Sequence, residues 1–160
     1  MQKQIKLEAA FLSSEFGPHE KILDIGSRDG KLEVELKRFD ITGVESSKDM
    51  LIQARKSSKK LFVKGVAANL PFLQNEFSGA IMHIPSRYIE NCERAVAEIY
   101  TVLEKRGKLV VFVSGHAKLP LSEKDSSIAS MLLECMGSKF SNTKIVELDK
   151  SLFAMVFVKA

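Results

Sequence analysis

The chain has 160 residues, 45% hydrophobic and 28% charged, which excludes a disordered or low-complexity tail and supplies apolar material for one core without covalent staples. Lys and Arg number 24 against 20 Asp and Glu, a net charge of +4 that biases the surface only mildly towards acidic partners. Two cysteines, Cys92 and Cys135, rule out a disulfide scaffold and CxxC zinc spacing, and no apolar run approaches the roughly 20 residues of a membrane span.

Ile5, Ala9, Leu12 and Phe16 recur at helical steps, so a helix over about 2–16 opens the chain and Gly17-Pro18 stops it. Residues 21–25 read as a short buried strand ending at Gly26, followed by a helix over about 30–39 and a second strand over 41–44. Ser47 is placed to cap the next helix, with Met50, Leu51 and Ala54 on one face. A third strand at 61–63 leads through an irregular stretch, 65–76, to a fourth at 79–82. Tyr88, Cys92, Val96, Ile99, Val102 and Leu103 make a helical stripe, and residues 109–113 form a strand without a polar break, as burial on both faces requires. A last helix carries Ile128, Met131, Leu132 and Cys135. Strands at 144–148 and 152–158 then flank Asp149-Lys150-Ser151, a connection short enough to force an antiparallel pair.

This order predicts one domain over 1–160, with its core sheet from about residue 20. The fold class is α/β: a doubly wound, mostly parallel sheet of seven strands closed by a C-terminal antiparallel hairpin. Ligands bind such sheets beyond the carboxyl ends of the strands. That edge carries 26–30, 45–47, 65–76, 83–87 and 114–123.

The first of these loops, Leu23-Asp24-Ile25-Gly26-Ser27-Arg28-Asp29-Gly30-Lys31, holds a glycine directly after a strand, where the backbone turns tightly beside a bound nucleotide. A phosphate loop, GxxxxGK[ST], fails because only three residues separate Gly26 from Gly30 and Leu32 follows Lys31. The dinucleotide pattern GxGxxG fails at Arg28 and Lys31, which leaves an NAD-linked oxidoreductase resting on first-strand geometry alone. Glu45, 19 residues on from Gly26 at the end of the second strand, is placed to accept both hydroxyls of a ribose. These features favour a nucleoside site without a phosphate cradle.

Over nearly its full length the chain resembles the class I S-adenosylmethionine-dependent methyltransferases, especially the small type 11 group with their Rossmann-like sheet. Ile22-Leu23-Asp24-Ile25-Gly26-Ser27-Arg28-Asp29-Gly30 resembles the hhDhGxGxG motif, and Ile41-Thr42-Gly43-Val44-Glu45 the second-strand motif. Ala68-Asn69-Leu70-Pro71-Phe72 is similar to the adenine-side stretch, and residues 97–110 to the helix and strand that follow it. The resemblance implies S-adenosylmethionine as cofactor and methyl transfer as activity. It implies Asp24 at the methionine amino end, the backbone of Gly26, Ser27, Arg28 and Gly30 at its carboxylate, and Glu45 with Ser46 at the ribose. Ala67, Ala68, Asn69 and Leu70 would border adenine, with His83 beside the cofactor. Four departures stand out: Arg28 and Arg106 replace glycines, Val66 replaces an acid near the adenine amino group, and Ser78 replaces an Asp. Arg28 and Val66 motivate an alternative, a catalytically inactive relative serving as a binding or scaffold subunit.

His83, just past the predicted fourth strand, is the candidate catalytic base, with His116 second; Arg87 and Tyr88 are candidates for positioning an acceptor. No metal site is expected. The acceptor is not identified, although the absence of Asn-Pro-Pro-Tyr after the fourth strand argues against adenine or glutamine amino groups. With little material for a cap, a homodimer or a macromolecular acceptor is expected to complete the site. Lys37, Arg38, Arg55, Lys56, Lys59, Lys60, Lys105, Arg106 and Lys139 gather at the opposite edge. Nucleic acid is one partner for that face, but cations complementing helix C-termini explain the same placement. Lacking a recognisable signal segment, the sequence is expected in the cytoplasm, with no membrane partner.

Overall fold

In the computed structural model, which describes residues 1–85, 91–114 and 123–160, strands and helices alternate as predicted. The order is α1 (Gln2–Glu15), β1 (Lys21–Ile25), α2 (Lys31–Glu35), β2 (Asp40–Glu45), α3 (Lys48–Ser57), β3 (Leu61–Lys64), β4 (Phe77–Pro85), α4 (Cys92–Val102), β5 (Leu103–Ser114), α5 (Glu123–Met136), β6 (Phe140–Asp149) and β7 (Leu152–Lys159). The strands form one seven-stranded sheet, β3-β2-β1-β4-β5-β7-β6. β1 to β5 run parallel, whereas β7 is antiparallel to both β5 and β6. Only Lys150 and Ser151 separate β6 from β7, too few for a crossover. Strand order reverses between β1 and β4, so the crevice expected to bind ligand opens there.

Alternation along the strands splits the core into two layers. Leu23 and Ile25 pack with Val96 and Ile99 of α4 and Leu132 and Met136 of α5. Ile22, Ile81 and Phe112 face the other way, against Leu12 of α1 and Leu32 of α2. Asp24 follows Ile22 by two residues and His83 follows Ile81 by two, so both polar side chains point to the α1–α2 face.

Four elements depart from expectation. α2 has five residues and not about ten: Leu36 leaves the helix at φ −94°, ψ 46°, and a tight turn buries both Leu36 and Phe39. α4 begins at Cys92, and Tyr88 lies outside the described residues. β4 runs past residue 82, so His83 is a strand residue paired in register with Phe112 and not a loop residue. β5 starts early: Leu103 pairs with Phe77, and the register shifts around Arg106 (φ 64°) before Lys108 pairs with Gly79.

Several cations of the opposite edge bond to backbone carbonyls. Lys60 Nζ donates to Lys37 O and Phe39 O beyond α2, Arg55 to Phe62 O beside the end of α3, and Arg38 to Ser13 O. Of these acceptors Ser13 O lies in the last turn of α1, where a cation complements the helix end, and the others belong to the segment after α2 and to β3. Among the described residues, no helix is long and apolar enough to cross a membrane.

Candidate functional site

The site grows out of the turn after β1. Gly26 adopts φ 80°, and its N–H and that of Ser27 both donate to Val44 O, at 2.8 and 3.0 Å, drawing the loop across to β2. Arg28 follows at φ 55°, a left-handed conformation that explains why glycine suits this position in the resembling motif. Its N–H donates to Glu45 Oε2 at 2.9 Å, while Ser47 N–H donates to Glu45 Oε1 at 2.7 Å. Glu45 is therefore buried and fastened between the two loops. Each carboxylate oxygen has two lone pairs, so acceptor capacity remains for a ligand hydroxyl. A Cβ built on Gly26 would meet nothing within 4 Å, so the turn borders open space.

That space has three adjoining parts, all bordered by Gly26 and His83. Beneath α1, the first is lined by Gln4, Glu8, Asp24, Ser27 and Leu32. A second, mainly apolar slot of about 230 Å³ lies between Ile25, Val44, Val66, Ala67 and Met82, with Ser46 at its side. Gln4, Arg28, Glu45 and Ser114 surround the third, at the mouth.

Below the first part lies a buried polar cluster. Glu8, Asp24 and Glu33 are 3%, 1% and 1% exposed, an unusual density of acid for an interior. His83 Nε2 lies 3.2 Å from Glu8 Oε2, and its Nδ1 lies 3.9 Å from Asp24 Oδ1. The ring stacks on Phe112, with centroids 5.2 Å apart, and Gln4 Nε2 donates to Glu8 Oε1 at 2.8 Å. Burial first, and then the neighbouring Glu33 carboxyl, push Asp24 well above the usual carboxylate range. Glu33 is also raised, chiefly by burial. Asp24 Oδ1, Ser27 Oγ, His83 Nδ1 and both Glu33 oxygens are buried without a hydrogen-bond partner.

Asp24, Gly26, Ser27, Arg28, Glu45, Ser46, Ala67 and His83 thus converge. Other expected residues serve elsewhere. Gly30 faces the packing of α3 on β3, where a Cβ would come within 2.9 Å of the Ala54 backbone. Leu70 is buried in the core, with its N–H donating to Glu98, and Asn69 closes a tight turn on Val66; neither they nor Ala68 line the space. Arg87 and His116 lie outside the described residues. Val66 is 49% exposed at the slot's rim. Sequence reasoning missed Gln4, Glu8 and Glu33. Their signal was faint: Glu8 falls on the buried stripe between Ile5 and Leu12, and Glu33 sits between Leu32 and Leu36.

No group of three or more His, Cys, Asp and Glu side chains among the described residues is arranged to hold a metal ion. The donor set instead suits an adenosyl amino acid: a buried carboxylate for a ribose, an apolar slot for a base, and unpartnered buried acceptors for an ammonium group.

Comparison with known proteins agrees. Across 97 residues the chain is 35% identical to the demethylmenaquinone methyltransferase of Thermotoga maritima, covering 58% of this chain and 42% of that relative. The chain thus spans less than half the length of this relative. A protein from Pyrococcus horikoshii OT3 superimposes with a TM-score of 0.81 at 17% identity, covering 99% of this chain and 91% of its own. A SAM-dependent methyltransferase from Methanosarcina mazei gives 0.72 at 18% identity, covering 93% and 96% respectively. These two similarities establish the fold. Residues 23–111, from within β1 into β5, match the profile of the methyltransferase domain, and the chain belongs to that family.

Proposed function

We propose that this chain binds S-adenosylmethionine beside the Gly26 turn and transfers its methyl group to an acceptor. The observation that carries the reading is Glu45: a buried carboxylate at the end of β2, held by the N–H groups of Arg28 and Ser47 and bordering the open turn. When bound, the cofactor supplies a methyl group already activated on a sulfonium. The chain's own residues orient the reactants and exclude water. Glu45 accepts the ribose hydroxyls, the slot with Val66 and Ala67 takes the adenine, and Asp24 and Ser27 offer buried oxygens to the methionyl end. Arg28 meets this edge with its backbone while the residue stays exposed, so one of the two positions behind the scaffold alternative leaves the turn open.

Isothermal titration with S-adenosylmethionine and with S-adenosylhomocysteine tests the reading. Glu45→Gln is expected to weaken binding by about 1–3 kcal/mol, because a charged acceptor is lost from a buried site. Unchanged affinity in that variant removes the ribose assignment; no binding by the unmodified chain removes the function.

His83 is the group we assign to accept the acceptor's proton, since among the described residues it alone brings an imidazole to all three parts of the space. Glu8 facing Nε2 fixes the tautomer that leaves the Nδ1 lone pair as acceptor. In a crystal with cofactor bound, a ring nitrogen is expected within about 2.6–3.2 Å of an atom in line with the methyl group. A ring still held between Glu8 and Asp24 there assigns His83 to positioning only. The methyl acceptor itself is taken to be a macromolecule, or a molecule enclosed by a second copy of the chain.

A further inference from the structure

Glu8 from α1, Asp24 from β1 and His83 from β4 line the space beneath α1, and Glu33 from α2 lies beside Asp24 without lining that space. Glu45 of β2 adds its charge beside Asp24. Asp29 of the intervening loop lies near Glu33, its own charge met by Lys31. The imidazole touches Glu8 and stands 3.9 Å from Asp24, beyond hydrogen-bond reach. No cation among the described residues makes an ion pair with Glu33, and both its oxygens, like Asp24 Oδ1, lack a donor when the carboxyls are ionised. Two adjacent buried carboxylates in that condition repel each other and forfeit hydration. One proton between them supplies the missing hydrogen bond and removes the repulsion.

We propose that Asp24 and Glu33 hold one shared proton in the free protein and release it to solvent when the ammonium end of the cofactor enters, so that cofactor binding is coupled to loss of one proton. The proposal rests on S-adenosylmethionine being the ligand. The exchange balances: the pair with its proton carries one negative charge, and the doubly ionised pair with an ammonium carries the same. The cluster thereby swaps a proton for a fixed cation without a change of net charge in a low-dielectric site. The raised position of both carboxyls, caused chiefly by burial, fits a pair protonated before the ligand arrives. Below the pH at which the pair ionises in the free protein, affinity is expected to fall about tenfold per pH unit; above it, affinity is flat.

Titration calorimetry with S-adenosylmethionine, at a pH where the free protein's carboxyl resonances show the pair still protonated and in buffers of different ionisation enthalpy, reads the protons released. About one per ligand is expected. Binding heat that does not vary with buffer overturns the coupling and leaves the cofactor reading intact; absence of binding overturns both. Glu33→Gln is expected to bind with no proton release, since its amide N–H permanently takes the proton's place towards Asp24. Release of the same proton by that variant assigns it elsewhere and overturns the proposal. A measurement on the unmodified chain is independent of that variant's folding. Carbon-13 resonances of the Asp and Glu carboxyls, followed with pH in ligand-free protein, are expected to show a protonated carboxyl persisting above the ordinary range. Carboxyls that all titrate at ordinary values overturn the shared proton.

Discussion

Arg28 and Arg106 stand where the resembling methyltransferases carry glycine, and both adopt left-handed backbone, at φ 55° and 64°. A side chain in that conformation costs about 1–2 kcal/mol, of which glycine's greater freedom in the unfolded chain takes back about 0.5–1. Arg106 is exposed and remote from the site, so Arg106→Gly isolates the backbone effect. It is expected to raise the melting temperature by about 1–4 °C; a lower melting temperature would show that the arginine side chain supplies more than its backbone costs. Glu33 makes a second residue-level case. Its folded pKa is raised above the ordinary 4.5, so its contribution to stability is fully present below that value and is lost as pH rises through the folded pKa. Gln does not titrate. The advantage of Glu33→Gln over the parent should therefore widen as pH rises above about 4.5, read as the difference in denaturation midpoint at each pH. A constant difference would show that Glu33 titrates alike in the folded and unfolded chain.

At the scale of elements, α1 decides whether the first part of the site has a roof. Leu12 and Phe16 anchor it, and the Phe16 ring lies over Gly79 of β4, where a Cβ would approach to 2.3 Å. Gly79→Ala is expected to cost about 1–3 kcal/mol by overpacking and to raise amide exchange in α1 more than in α4 on the opposite face. Equal changes in the two helices would place the strain in the sheet. The same helix marks the boundary of what sequence disclosed. Its apolar stripe was legible because burial against a sheet imposes a period, as were the unbroken strand at 109–113 and the hairpin around Lys150. Gly26 and Glu45 were legible because turn geometry and strand-end placement are local. Glu8 and Glu33 were not: a carboxyl beside an apolar stripe ordinarily lies in water, and only the meeting of α1, α2, β1 and β4 buries both. The length of α2 was hidden for a related reason. Leu36 and Phe39 fit a helical period equally well, but burying both beneath α1 takes a turn.

Across the whole molecule, buried acids and carbonyl-bonded cations among the described residues lie at different edges of one sheet. Acids gather beneath α1 at the carboxyl end of β1 and β4, while lysines and arginines bond carbonyls beyond α2 and α3. S-adenosylmethionine carries a net positive charge at neutral pH, so the acidic edge favours its approach. Among the described residues the enclosure is one-sided: α1 roofs the first part of the space, but Val66 at the slot's rim is 49% exposed and Arg28 at the mouth is exposed too. Methyl transfer benefits from excluding water around the reacting atoms, and an acceptor small enough to sit in this mouth brings little surface of its own to do so. Closure by a second copy or by the bulk of a macromolecular acceptor meets the requirement. Small-angle scattering with cofactor present is expected to show a dimer; a monomer is expected to yield S-adenosylhomocysteine only with macromolecular acceptors. A monomer that methylates a small metabolite at a comparable rate would mean that the described edge shields the reaction unaided, and the requirement for a second body would fall.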